Sequence, residues 1–142
     1  MGSIAPRFSV GGTGLPISFT AVEAIVGGNV VEARAAGGNP GSRWCGVAGA
    51  GSELVVGVAL FDVPATAAHI AGPKVGDEHA LTVVRACVIP VVFSGAAVAG
   101  DKLIAAAAGK VGVAGAAPDA ATVIGQALEI AADGQTKLAY IF

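Results

Sequence analysis

An all-β fold is predicted by three features of the 142-residue sequence. Its long apolar side chains are mostly β-branched, its turn residues recur at short intervals, and no amphipathic helical stripe is sustained. The chain has 20 Val and 9 Ile against 7 Leu and 1 Met. Branching at Cβ restricts χ1 and packs well on a pleated surface, so this balance favours strands. Gly and Pro supply 22 and 7 residues, enough to divide the chain into short segments. The expectation is a small β-barrel or sandwich of about eight short strands with at most one short helix, preceded by an extended N-terminal arm. The arm takes residues 1–15, and a single β-rich domain takes residues 16–142.

The elements follow in order. Residues 1–15 carry apolar Ile4, Phe8 and Val10 and then a Gly11-Gly12-Thr13-Gly14 joint, with no regular period. They read as a frayed terminus, or as an arm whose Ile4, Pro6, Arg7, Phe8 and Val10 dock on a partner. A wholly solvated tail has little use for Ile, Phe and Val. Residues 17–22 alternate apolar and small polar side chains. Residues 29–35 do the same and put Glu32 and Arg34 on one face. Gly27-Gly28 separates these two strands, and Gly37-Gly38-Asn39-Pro40-Gly41 is a strong turn. Residues 44–48 and 53–61 come next, divided by Gly49-Ala50-Gly51-Ser52.

Residues 64–69 are the helix candidate, one or two turns with Pro64 in the first helical position. Residues 81–93 are too long for one ordinary strand, and Pro90 marks an edge, a bulge or a break there. Residues 103–107 and 111–114 flank Ala108-Gly109-Lys110 as a hairpin. Residues 122–130 and 137–142 flank a loop whose Asp133-Gly134 is a turn signal. There is also an internal echo. Val56-Gly-Val-Ala-Leu60 is similar to Ile124-Gly-Gln-Ala-Leu128, with Cys45-Gly-Val-Ala48 as a shorter third instance. It reads as equivalent strands of a pseudo-symmetric barrel, or as coincidence in a chain half made of Ala, Gly and Val.

Chemistry is thin. Eight basic and ten acidic residues give a net charge of −2, with no basic block to neutralise phosphates, so nucleic-acid binding has little support. The uncharged runs fall short of the roughly 18–20 residues of a membrane span. The N-terminus lacks the compact apolar segment of a secretory signal. Cys45 and Cys87 have no CxxC or Cys/His neighbour and read as reduced, packed thiols of a cytoplasmic product. His69 and His79 are the two imidazoles. The Asp77/His79 pair lacks a third ligand and reads as part of a solvated loop. Gly109-Lys110 lacks the upstream glycine of a phosphate-binding loop. No catalytic, cofactor-binding or metal residue is expected, no cofactor, and no enzymatic activity. Two other classes share this composition. One is a lipoyl- or biotinyl-type carrier with Lys110 near a hairpin tip, although acidic and Met flanks are missing. The other is a bacterial surface subunit, which needs an export signal.

Longer strings narrow the reading. Ile17-Ser-Phe19 is followed by Ala24-Ile-Val-Gly-Gly28-Asn-Val-Val31, then by Arg43-Trp-Cys-Gly-Val-Ala48 and Val55-Val-Gly-Val-Ala-Leu-Phe-Asp62. After these come Val98-Ala-Gly-Asp-Lys-Leu103, Gly109-Lys-Val111, Val123-Ile-Gly-Gln-Ala-Leu128 and Asp133-Gly134. In order and spacing they resemble the capsid decoration, or cement, proteins of tailed-phage heads over residues 17–142. The resemblance implies a non-enzymatic virion protein on the outer capsid surface, made in the host cytoplasm. It implies a homotrimer at local threefold axes between hexamers of the major capsid protein, clamping the expanded shell. The implied partners are that protein and further copies of the chain, with no nucleic acid, membrane or small-molecule substrate. The residues touching the shell do not follow from these strings; the Ile4, Pro6, Arg7, Phe8 and Val10 arm is the contact expected on chemical grounds.

Overall fold

The computed structural model describes residues 15–34, 43–63 and 80–142. The arm residues 1–14, the turn at 37–41, the helix candidate at 64–69 and the Asp77/His79 pair lie outside the described residues. Among the described residues ten strands run in chain order: β1 Leu15–Ala21, β2 Val30–Arg34, β3 Trp44–Val47, β4 Val55–Ala59 and β5 Ala80–Arg85 form the first half. The second half has β6 Cys87–Val92, β7 Lys102–Ala105, β8 Val111–Val113, β9 Val123–Ala127 and β10 Thr136–Ile141. A 3-10 turn at Ala107–Gly109 makes the β7–β8 connection expected of a hairpin. The fold is all-β. β1-β3-β2-β4-β5 close a barrel, and β6-β10-β9-β7-β8 form a five-stranded sheet.

The long apolar stretch 81–93 does divide, but at Ala86, whose φ of 56° turns the chain between β5 and β6. Pro90 causes no break; of the expected alternatives the edge holds, since it sits inside β6, the edge strand of its sheet, opposite Leu138. Hydrogen-bond parity explains why. Phe93 N–H donates to Gln135 O on the β10 side, and Ser94 N–H donates to Val111 O on the other side. Alternation therefore puts the Pro90 nitrogen on the side away from β10, where no ladder bond is lost.

The second half repeats the first, strand for strand. β1 pairs with β5 from Leu15↔Arg85 to Thr20↔Ala80, and β6 pairs with β10 from Cys87↔Ile141 to Val92↔Thr136. The parallel contact Ala21↔Cys45 returns as the parallel bridge Phe93↔Val111. The β2/β4 ladder shifts register between Val31 and Glu32, and the β7/β9 ladder shifts between Leu103 and Ile104. The bridge Ile25↔Val63 returns as Ala97↔Ala131. Even a turn is duplicated. Asn29 Oδ1 accepts from Val26 N–H at 3.0 Å, and Asp101 Oδ2 accepts from Val98 N–H at 2.9 Å.

The echo between 56–60 and 124–128 is thus structural, since these strings share equivalent places in β4 and β9. The third instance belongs elsewhere. Cys45-Gly-Val-Ala48 lies on β3, whose counterpart is β8 with Val111-Gly-Val-Ala114. The glycine of the β4/β9 string has a steric cause. A Cβ on Gly57 would run into the Val84 carbonyl, and one on Gly125 into the Tyr140 carbonyl. Two backbones come too close there for a side chain.

Two apolar clusters hold the halves. The first barrel is filled by Ile25, Val31, Cys45, Leu81 and Val83, with Ala21, Ala59 and Val63. The second cluster contains Ile89, Phe93, Leu103, Val111 and Ile141, and it also takes in Val30, Ala48, Val58 and Val84 from the first half. The outer face of the first barrel is therefore sealed onto the second half. Burying each of those valines contributes on the order of 1.5 kcal/mol or more. Gly51 N–H donating to Ala105 O at 2.8 Å adds a backbone tie between the halves.

Gly125→Ala should lower the unfolding free energy by about 1–3 kcal/mol, because β9 and β10 must separate to admit the methyl group. Gly115→Ala, where nothing lies within 4 Å of the new Cβ, should stay within about 0.5 kcal/mol of the parent. Urea unfolding midpoints measure both.

Candidate docking surface

The polar side chains that converge do so to close the fold. Arg34 Nη2 donates to Val47 O at 2.8 Å, and its Nε donates to Glu32 Oε1 at 3.1 Å. Glu23 stands 3.8 Å from Arg34 Nη1 and accepts the Val47 N–H through its other oxygen. Ser52 Oγ donates to the free oxygen of Glu32. Glu32 and Arg34 do share a face, as their spacing predicts. Through these bonds the cluster clasps β2 to β3 and to the following loop. Trp44 Nε1, across the ladder from Arg34, is buried with no hydrogen-bond partner among the described residues.

Cys45 and Cys87 are unbonded, buried and lie in different clusters. Burial pushes the Cys45 thiol up to about 12, against a smaller downward pull from Arg34. Burial also raises Cys87. Neither is the depressed thiol of a nucleophile. Among the described residues no three His, Cys, Asp or Glu side chains gather as a metal site would require. A groove of about 190 Å³ between the halves is lined by Val55, Val123, Phe142, Glu53 and Arg85 among others, with both charged residues exposed.

The exposed apolar side chains are more informative. Along β10, Ala139 and Ile141 point inward, while Leu138 and Tyr140 point outward, followed by Phe142. These three are 36%, 38% and 48% exposed. The Tyr140 and Phe142 rings lie 5.9 Å apart at 56°, a favourable tilted pair. Beside them β6 sets half-buried Pro90 opposite Leu138 and half-buried Val88 opposite Tyr140. Exposed Leu128 and Ile130 extend the patch beyond β9. A contiguous apolar face of this kind is the surface chemistry of docking. It was legible as an unbroken apolar run, Leu138-Ala-Tyr-Ile-Phe142, since a strand apolar on both faces needs cover on both. The residues singled out in advance, Ile4, Pro6, Arg7, Phe8 and Val10, lie outside the described residues and are not placed by the fold.

No family model matches the chain, and no curated protein does. Among solved structures it is similar to the crystal structure of the head fiber gp8.5 N base of bacteriophage phi29. The match has a TM-score of 0.63 and 19% identity, and covers 92% of this chain and 95% of that one. At this identity the likeness is one of fold, and it extends over both halves of the repeat.

Folded protein should protect both thiols from a maleimide at pH 8, and unfolding should release both. The unfolded Cys45 thiol ionises near 9.0, whereas the folded one holds its proton to about 12. Stability should therefore fall as pH rises from 9 toward 12, and Cys45→Ala should flatten that fall. Equilibrium unfolding across this range measures it.

Proposed function

We propose that the chain is a structural protein of a tailed-phage head. It binds the outer surface of the capsid as a trimer at local threefold axes and stabilises the expanded shell. One observation carries this reading: the fold is shared, over nearly the whole of both chains, with the base of a phage head fiber. The order of the Gly-rich strings along residues 17–142 supports it independently. So does the exposed apolar sheet face of β10 and its neighbours.

The mechanism is thermodynamic linkage. A protein that binds the assembled, expanded shell and not its separated subunits stabilises the shell by mass action, about 2.7 kcal/mol per site at a hundred times Kd. Three capsid contacts on one trimer raise the effective concentration of each, so weak single contacts hold together. The Ile4, Pro6, Arg7, Phe8 and Val10 arm supplies one contact per copy by docking on a capsid subunit, in the manner of an added strand. The protein then acts through shape and copy number and transforms no substrate.

Purified protein should co-sediment with empty expanded heads and leave unexpanded shells unoccupied. Deleting residues 2–14 should weaken that binding at least tenfold while leaving the unfolding midpoint unchanged. Full occupancy by the shortened chain would remove the arm from the mechanism. Failure of the intact chain to bind any shell would remove the proposed function itself.

A further inference from the structure

The internal repeat allows one face to be compared with itself inside a single chain. In the first half, Val30, Val58 and Val84 are 0%, 0% and 5% exposed, because the second half covers them. Register identifies their counterparts. Val58 faces Val84 as Gln126 faces Tyr140, and Val30 opens β2 as Lys102 opens β7. All three counterparts are exposed. Around them, half-buried Leu60 and Thr82 of the first half correspond to exposed Leu128 and Leu138. The same face is sealed in one half and open in the other.

We infer that the open face of β9 and β10 in one copy is covered by the first half of a second copy, in the head-to-tail manner in which the second half covers the first within the chain. The occupant is chosen by the repeat. The covering unit inside the chain is a barrel-like half that brings its β7–β8 end to the first half, with Ala105 O accepting from Gly51 N–H and Gly109 against the Asn29 side chain. Every copy carries a second unit of like strand pairing in its first half, in which β2 and β3 correspond to β7 and β8.

The substitutions between the two faces fit their different histories. A face sealed during folding never meets water again, and it is built of valines. A face sealed by assembly spends time in water first. It carries Lys102 and Gln126 for solubility and Tyr140, Leu138 and Leu128 as anchors, the composition of a surface that associates after folding. A heterologous contact closes into a ring when the rotation that repeats it is a whole fraction of a turn. Three copies then give a ring of six like units, alternately joined within and between chains. The copy number rests on the proposed trimer; the face does not.

The test uses the intact protein alone, without shells, so failure of the capsid reading leaves its result untouched. Light scattering after size exclusion should give the mass of three copies. The double variant Leu138→Asp, Tyr140→Asp should run as a monomer at the same concentration, with association weakened at least tenfold. Carboxylate-to-amine cross-linking of mixed isotope-labelled and unlabelled chains should join Lys102 of one copy to residues 15–63 of another. If the variant does not fold, the cross-links of the unaltered chain decide alone. A monomeric unaltered protein, an unchanged trimer in the folded variant, or Lys102 cross-links confined to the second half of another copy would overturn the inference.

Discussion

Everything in this architecture depends on the seam where Val30, Ala48, Val58 and Val84 pack into the apolar cluster of the second half. The first barrel has its own filling of small side chains, with Ile25 and Leu81 the largest buried aliphatics there. Such a barrel has little apolar volume to offset its chain entropy. Sealing its outer face onto the second half adds the valines that its interior has no room for. The two halves form one cooperative structure because this face is shared between them.

The repeat also explains which features are duplicated and which are not. Those demanded by barrel geometry recur in both halves: the register shift next to the central ladder, the close approach at Gly57 and Gly125, and the Asn29/Asp101 turn. Features set by what lies outside each barrel diverge. Arg34 is clasped by two carboxylates, and no counterpart clasp closes β7 on β8 among the described residues. The outward face is aliphatic in one half and mixed, with an aromatic pair, in the other. Internal geometry constrains both copies alike, while surroundings constrain each separately.

Much of this was legible in the sequence. Strand positions followed from period-two alternation and from Gly-rich breaks, and the windows at 29–35, 44–48, 53–61 and 122–130 each contain a strand. Other features resist local reading for definite reasons. The break at Ala86 carries no turn signal, since alanine enters the left-handed region only under tertiary constraint. Pro90 is harmless because of which side of β6 its nitrogen faces, and that is decided by pairing with β10. The echo pointed to the repeat, yet Cys45-Gly-Val-Ala48 was matched to the wrong strand. In a chain so rich in Ala, Gly and Val, a four-residue string matches several strands, and only ladder register tells β3 from β4. The parallel contacts of β1 with β3 and of β6 with β8 join strands far apart in sequence and leave no local trace.

The central claim is that one face, sealed inside the chain in the first half, is sealed between chains in the second. The most direct measurement is a high-resolution map of the assembled protein on an expanded head, read at Tyr140. The account predicts that Tyr140 is covered there by the first half of the neighbouring copy, as fully as Val84 is covered within its own chain. A Tyr140 ring facing solvent in the assembled particle, or resting on a capsid subunit, would contradict it.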